Sequence, residues 1–422
     1  MLSDSWTGML WADRFLLGPL IGQGGMGQIY RAHDQKEDRP VALKVLDARG
    51  RPQESAARFA HEAELLCSLQ HPGLVRYLAH DIAPSGNPFF AMEWLDGEDL
   101  AKRLARAPLS LADALRLIDR VAEALAYLHE RKVLHRDIKP SNLFLPQGDV
   151  NQVKILDLGI ALHSTRVTRI TRSGVIVGTP EYLPPERARA KQELTPASDL
   201  FSLGCVLYEC LAGDPPFAAD HVAATLARIL FEEPLSIESK RPGIPNPVAQ
   251  IVHKLLAKAP QARYQSANQL RAALAGLGAM PLMFGAPKHT TDANVPEVFG
   301  RGELSLVSVI LAAPLEPADE ESGGPETASG RLLESEQADL IDSLSRLGIS
   351  AQFLAGPVLL ATVSGSESAT DLARLAARGA LLIRSYWPEA KVVMATGRGR
   401  VEGETMLGDV VAQAGALLDS EA

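Results

Sequence analysis

Apolar residues recur at two different periods along the chain, and the change of period divides it. From Phe15 to about Ala48, short apolar runs alternate with glycine, which predicts strands joined by tight turns. Glu54–Leu69 predicts a helix with Phe59, Ala63 and Leu66 on one face, and Pro72 follows where a helix has ended. Pro88–Leu95 predicts another strand. Ser110 can cap a helix in which Leu111, Leu115, Ile118, Ala122 and Leu125 recur at three- and four-residue steps. Ser198–Ala212 and Pro247–Lys258 keep that helical period, the second opening with a proline whose missing N–H does no harm in a first turn. The order is a small β-rich part followed by a larger helical part.

Periodicity lapses over about Gly276–Gly302, where Pro281, Pro287 and Pro296 intervene, and a linker is expected there. Glu316–Gly330 holds five acids, two prolines, three glycines and no base, the composition of a disordered loop. Beyond Arg331, helices over Ser335–Leu347, Thr370–Leu382 and Leu407–Leu418 alternate with strand-like runs at Gly356–Val363 and Lys391–Thr396. No internal repeat is visible.

Composition narrows the class. A chain of 422 residues exceeds one typical core and suggests about two or three domains. Hydrophobic residues at 46% and charged residues at 22% fit a soluble globular protein. The formal net charge of −9 gives no basic face, so nucleic acid and anionic lipid are not expected as partners. Three cysteines, Cys67, Cys205 and Cys210, cannot make a disulfide framework. Cys205 and Cys210 sit in an apolar run and read as small core residues, which suits a reducing cytosol. The runs Leu304–Leu315 and Val206–Leu211 fall short of the ~20 residues a spanning helix needs, and Met1–Asp13 lacks the basic start of a secretory signal. A cytoplasmic location without a membrane segment is expected.

Candidate chemistry begins at Ile21, followed by Gly22-Gln23-Gly24-Gly25-Met26-Gly27 and then Ile29. Glycine lets the backbone come close to phosphates and offers them N–H groups. Alone, the pattern also suits an ordinary turn or a dinucleotide fold. A dinucleotide fold wants a helix directly after the glycines and an acid about twenty residues on. Here Gln28–Ala32 reads as strand, and Val41-Ala42-Leu43-Lys44 arrives instead of the acid. A lysine ending an apolar strand ordinarily snorkels at an edge; after a glycine loop it is placed to pair the α- and β-phosphates. The helix that follows offers Glu62 and Glu64 to hold it.

The decisive stretch is His135-Arg136-Asp137-Ile138-Lys139-Pro140-Ser141-Asn142, followed by Asp157-Leu158-Gly159. Phosphoryl transfer asks little covalent work of a protein; it asks for charge neutralisation and in-line positioning. Asp137 is the candidate proton acceptor that aims an acceptor hydroxyl, and Lys139 the cation that steadies the moving phosphoryl group. Asn142 and Asp157 are oxygen donors suited to Mg²⁺. Four such strings in order leave little room for coincidence.

From about Phe15 to Leu277 the chain resembles the eukaryotic-like (Hanks-type) serine/threonine protein kinases of bacteria. The resemblance implies an α+β, bilobal fold: a five-stranded sheet with one helix, a helical lobe, and ATP with Mg²⁺ in the cleft between. It implies that Glu62, ten residues before Pro72, pairs with Lys44, leaving Glu64 as a solvated acid. It implies Met92 at the back of the cleft, backbone contacts from Glu93 and Leu95 to adenine, and Asp99 near the ribose. Ile29, Ala42 and Phe144 would sandwich the base; core packing is the plain alternative for these apolar positions. Gly178-Thr179-Pro180-Glu181-Tyr182 resembles the segment that seats the acceptor, with Thr179 bonded to Asp137 and Lys139. Pro184-Pro185-Glu186 stands where the family has Ala-Pro-Glu, with Glu186 paired to Arg263, and Asp199 would tether the catalytic loop. Lys139, two residues after Asp137, implies Ser/Thr specificity.

The resemblance also implies a switch. Arg136 would bind a phosphate carried by the segment Asp157–Glu186, which offers Thr165, Thr168, Thr171 and Ser173. Thr171 and Ser173, eight and six residues before Thr179, are the candidates for trans-autophosphorylation. Leu158 replaces the family's Phe and Phe201 a common Trp, changes of packing that leave the metal carboxylate intact.

Leu304–Ala313, Gly348–Ala395 and Gly403–Ala414 resemble, more weakly, a class III nucleotide cyclase domain. Ala312-Ala313-Pro314 and Ala355-Gly356-Pro357 occupy the places of its two metal-binding aspartates, which implies a degenerate, non-catalytic module for regulation or dimerisation. An unrelated small α/β domain is the alternative. The expected organisation is an N-terminal extension (1–14), a kinase domain (15–277), a linker (278–302) and a cyclase-like α/β domain (303–422) with an acidic loop at 316–330. Protein substrates are the expected partners, with room for a homodimer through the kinase or C-terminal domain. A pseudokinase scaffold that holds nucleotide without turnover and a small-molecule kinase are the competing functions. The intact Lys44, Asp137, Asn142 and Asp157 argue against the first, and the peptide-seating segment against the second.

Overall fold

The computed structural model describes residues 6–24, 27–46, 54–83, 86–158, 180–189, 194–219, 222–278, 304–314, 332, 334–354, 358–364, 368–402, 405–407 and 409–419. The glycine-punctuated stretch forms one antiparallel sheet of strands β1 (Leu10–Trp11), β2 (Phe15–Gly24), β3 (Gly27–Asp34), β4 (Arg39–Leu46), β5 (Tyr77–Ile82) and β6 (Pro88–Glu93), ordered β1-β2-β3-β4-β6-β5. Side chains alternate across it. Tyr30, Ala32, Val41, Leu43 and Val45 enter a core with Trp11, Phe15 and Phe89, while Ile29, Ala42 and Lys44 are half-buried on the opposite face. The expected five strands are six. Part of the stretch expected as an extension pairs as β1, because Trp11 buries its ring 5.1 Å from Trp6 and 5.5 Å from Phe89. Helix α1 (Glu54–Ser68) packs on β5, with Phe59, Ala63 and Leu66 buried as its period predicts.

The helical part comprises α2 (Leu100–Leu104), α3 (Leu111–Glu130), α4 (Pro185–Ala188), α5 (Pro196–Ala212), α6 (Val222–Phe231), α7 (Ile237–Lys240), α8 (Asn246–Leu255) and α9 (Ala267–Gly278). A small sheet, β7 (Gly97–Asp99), β8 (Leu143–Pro146) and β9 (Lys154–Ile155), lies at its top and joins the first lobe through a Leu74–Ile155 bridge. Ser110 caps α3 by accepting from the Asp113 N–H at 3.1 Å. Leu117, Ile118, Val121, Leu125 and Leu128 of that helix are buried, each worth about 1.5–3 kcal/mol. Helix α5 is buried on nearly every side, which is why its sequence, Cys205 and Cys210 included, is apolar all round.

The C-terminal strands β10 (Leu304–Pro314), β11 (Ser350–Phe353), β12 (Leu359–Ser364), β13 (Ala390–Glu402) and β14 (Thr405–Leu407) form an antiparallel sheet ordered β11-β12-β10-β13-β14. With helices α10 (Glu334–Arg346), α11 (Ala369–Tyr386) and α12 (Asp409–Asp419), the chain first runs β-α-β-β-α-β, the split-βαβ order. The sheet is buried on both faces. Ile310 and Ala312 pack with Leu340, Leu344, Leu372 and Ala376 of α10 and α11. Val307, Val309 and Leu311 belong to the cluster that holds Val410, Val411 and Ala414 of α12 and extends into the helical lobe. The link is α6, which packs against both α12 and α4. Residues 279–303, which include most of the expected linker, and the acidic loop lie outside the described residues. No described helix is long and apolar enough to cross a membrane.

Candidate active site

The strand β4 delivers Lys44 to the cleft because its neighbours Leu43 and Val45 face the core. There its ammonium lies 2.6 Å from Asp157 Oδ1. Asp157 follows β9 with a left-handed backbone, φ +52°, a conformation that aspartate tolerates better than most residues. The Leu156 N–H donates to the Asn142 carbonyl at 2.8 Å, which fastens this end of β9 to the loop carrying Asp137. Asn142 Nδ2 donates to the Asp137 carbonyl at 2.7 Å and to Asp137 Oδ2 at 2.9 Å. Lys139 Nζ sits 2.8 Å from the same Oδ2. Lys44 thus pairs with Asp157, the adjacent Leu156 N–H joins that end of β9 to Asn142, and Asn142 and Lys139 both meet Asp137.

Burial pushes the Asp137 carboxyl up, but Lys139, by charge and hydrogen bond, and Asn142 outweigh it and hold the group below the usual carboxylate range. It is ionised at neutral pH, ready to accept a hydrogen bond from a hydroxyl. His135, fully buried, donates from Nε2 to the Leu156 carbonyl at 2.9 Å and accepts the Asp137 N–H at Nδ1, 3.2 Å. Asp199, at the start of α5, accepts from the N–H groups of His135 at 2.9 Å and Arg136 at 2.7 Å, and from His129 Nε2 at 2.8 Å. Burial raises its pKa too, but His129 and the Arg136 N–H reverse the sign. The tether expected of Asp199 is thus in place. His129 was not anticipated; a histidine near a helix C-terminus gives no warning of a carboxylate seventy positions on.

The site also suits a hard divalent cation. Asn142 commits Nδ2 to Asp137, leaving Oδ1 as an oxygen donor, and Asp157 adds a carboxylate. Among the described residues no group of three or more His, Cys, Asp or Glu forms a ready-made cage. A cation that keeps water and phosphate oxygens in its shell, as Mg²⁺ does, fits two such protein donors.

Around the expected nucleotide position, Met92 is buried opposite Ala42 across β4 and β6. Ile29, Ala42 and Phe144 are each half-buried. Leu95 is half-buried as well, and its N–H has no partner among the described residues. Glu93 is anchored by Lys154, 2.7 Å away, and by the Arg76 N–H at 2.9 Å, an arrangement not foreseen. Asp99, expected near the ribose, caps α2 by accepting the Lys102 N–H at 2.9 Å. Ile21 is exposed, and Gly22, Gln23 and Gly24 pair with Ile29, Gln28 and Gly27 across β2 and β3. Gly27 has a reason beyond phosphate: at φ +141° a Cβ would sit 1.9 Å from the Val45 carbonyl oxygen. Gly25, Met26, Thr171, Ser173, Thr179 and the side chain of Glu62 lie outside the described residues; among the described residues Lys44 pairs with Asp157.

Below the cleft, Glu186 and Arg263 form a two-pronged pair with both N···O distances 2.9 Å, as expected. Leu158 is buried in the same cluster as Leu66 and Tyr77, so the smaller side chain still finds a core position.

Comparison with known proteins agrees with this geometry. A family model described as protein kinase domain matches residues 15–273. The serine/threonine-protein kinase PknB of Mycobacterium leprae is 36% identical over 290 residues, covering 67% of this chain and 46% of its own length. A probable serine/threonine-protein kinase of Streptomyces coelicolor is 38% identical over 265 residues, covering 61% of this chain and 39% of its own. The chain therefore spans less than half the length of these curated relatives. Among solved structures, the PknI kinase domain of Mycobacterium tuberculosis superposes with a TM-score of 0.52 at 25% identity, covering 66% of this chain and 100% of that one. The chain belongs to the protein kinase domain family.

Proposed function

We propose that this protein transfers the γ-phosphoryl group of MgATP to serine or threonine hydroxyls of other proteins. The observation that carries the proposal is the convergence of two groups, Lys44 with Asp157 and Lys139 with Asp137 and Asn142, joined through the Leu156 N–H to the Asn142 carbonyl. Asp137 accepts the acceptor's hydrogen bond and, as the new O–P bond forms and the bond to the β-phosphate oxygen breaks, takes its proton; ADP departs. Lys139, beside that carboxylate, offers its charge to the phosphoryl oxygens. Lys44 exchanges its contact with Asp157 for phosphate oxygens, which frees the carboxylate, with Asn142 Oδ1, to hold the metal. Bound Mg²⁺ supplies charge neutralisation between the phosphates. Serine/threonine preference is supported by Lys139 two residues after Asp137 and by the names of the curated relatives.

Two finer readings accompany it. Thr171 and Ser173 are taken as autophosphorylation sites, given Arg136 beside the catalytic residue. The C-terminal domain is taken as a degenerate cyclase-like regulatory module. Its β-α-β-β-α-β order supports that reading, and Ala312-Ala313-Pro314 at the end of β10 offers no carboxylate for a metal.

The test is incubation with labelled ATP, Mg²⁺ and a generic basic protein, for wild type and Asp137→Asn. Label in the acceptor for wild type alone supports the assignment. A wild type that binds nucleotide yet labels nothing, itself included, makes it a scaffold. Mass spectrometry of the same preparations reads the second proposal: phosphate on Thr171 or Ser173 of the Asp137→Asn protein would contradict autophosphorylation.

A further inference from the structure

The peptide that leads into Asp137 is unusual. Arg136 has φ +69°, a left-handed backbone that a bulky L-residue rarely adopts. Such a conformation persists only where its surroundings over-determine it. On one side the determinant is Asp199, whose Oδ1 accepts the Arg136 N–H at 2.7 Å. On the other side is a residue that no motif singled out. Arg187 Nη1 donates to the carbonyl oxygen of Arg136. The peptide group joining Arg136 to Asp137 is thereby gripped at its oxygen, while the preceding N–H groups are gripped by Asp199.

Arg187 is not an idle surface cation. It is half-buried on α4, and burial pulls its guanidinium below the usual arginine range, with Asp137 and Asp199 opposing the shift. Among the described residues no carboxylate pairs with it, so its documented bond is the one to Arg136. Its own position is fixed from below, because the preceding residue, Glu186, is locked to Arg263 and Ser198. The Arg187 N–H also bonds the Pro184 carbonyl at 2.9 Å.

We infer that Arg187 is a positioning residue for the phosphotransfer reaction: by holding the Arg136 carbonyl it fixes the left-handed turn that aims Asp137 at the acceptor hydroxyl. Its bond is to the Arg136 carbonyl and it acts through Asp137, so the inference rests on Asp137 being the proton acceptor. It also makes the aim of that carboxylate depend on α4, the helix that closes the acceptor-seating segment.

The experiment compares wild type, Arg187→Ala, Arg187→Lys and Asp137→Asn in steady-state transfer to a basic protein, with and without added guanidinium chloride at millimolar concentration. Displacement of a reacting group by about an ångström costs on the order of a hundredfold in rate. Arg187→Ala should therefore lose about 10- to 100-fold in kcat with the KM for ATP held within about twofold, since Lys44 and the metal donors are untouched. Guanidinium should restore part of that loss in Arg187→Ala and leave wild type unchanged, and Arg187→Lys, which keeps an N–H donor, should retain more activity than alanine. A kcat within about twofold of wild type for Arg187→Ala would overturn the inference. So would a loss that neither guanidinium nor lysine relieves, because that is the signature of general unfolding. Asp137→Asn separates the two levels. If that variant keeps the wild-type rate, the role of Asp137 itself fails; if it is inactive while Arg187→Ala is fully active, only the role of Arg187 fails.

Discussion

Replacing Arg263 by alanine should cost about 3–5 kcal/mol of stability, the toll of leaving one partner of a buried ion pair alone. Arg263 is 2% exposed, and its guanidinium makes five hydrogen bonds: to Glu186 Oε1 and Oε2 and to the carbonyls of Ala197, Ala257 and Lys258. Every N–H of the fork is used. Its loss leaves Glu186, 5% exposed, with the Ser198 hydroxyl at 2.7 Å as its remaining side-chain donor. Burial pushes the Glu186 carboxyl up, but Arg263 and Ser198 prevail and hold it below its ordinary 4.5. In wild type this group's contribution is therefore present above about pH 4.5 and lost as pH falls through the lower folded-state value. Without Arg263 burial dominates and the sign reverses, so the variant should lose stability as pH rises. Urea unfolding followed by circular dichroism, at about pH 5 and pH 7, reads both effects. Adding Glu186→Gln to Arg263→Ala should recover part of the loss, since no charge is then stranded. A cost below about 1 kcal/mol at neutral pH, or no recovery in the double variant, would refute the reasoning.

Three further outcomes are expected. Burial pushes the Glu209 carboxyl, bonded to the Tyr182 hydroxyl at 2.7 Å, up to about 7, so its stabilisation is present below its ordinary 4.5 and lost as pH rises through about 7; Glu209→Gln should flatten the melting temperature across that window, and a slope like wild type's would contradict it. Gly27→Ala must move β3 away from the Val45 carbonyl and occupy φ +141°, and should cost about 1–3 kcal/mol with weaker ATP binding, read by thermal shift with and without nucleotide. Val411→Asp, placing a charge in the buried face of α12, should speed hydrogen exchange in α6 while leaving α5 protected; unchanged exchange in α6 would mean that α12 does not cover it.

Much of the candidate cleft was legible because the proposed chemistry calls for short, contiguous strings. Asp137, Lys139 and Asn142 lie within one loop, and Asp157 follows a strand of fixed length, so local order in the sequence becomes proximity in space. The helices with one polar face, α1 and α3, were legible for the same reason. What escaped depends on long-range packing. The two-residue strand β1 has no period, and only the tertiary burial of Trp11 defines it. Helix α6 is short and almost wholly apolar, packed against α12 and α4, and a short apolar run cannot be told from a buried strand by its pattern. Strand β13 runs to Glu402, past the expected end at Thr396, through two glycines that look like a stop. One of them, Gly397, is the place where Val410 of α12 closes on the sheet, with Val410 Cγ2 2.6 Å from where a Cβ would be. Arg187 and His129 act through partners 51 and 70 positions away, beyond the reach of any local pattern.

The proposed phosphotransfer requires Asn142 and Asp157 to hold a divalent cation against phosphates gripped by Lys44. Substituting Mn²⁺ for Mg²⁺ makes that seat visible to electron paramagnetic resonance in wild type, Asn142→Ala and Asp157→Asn, with a non-hydrolysable ATP analogue present. Wild type should bind Mn²⁺ only together with the nucleotide, and each variant should weaken that binding by about tenfold or more. Mn²⁺ bound equally well by all three proteins, or bound by wild type with no need of nucleotide, would contradict it.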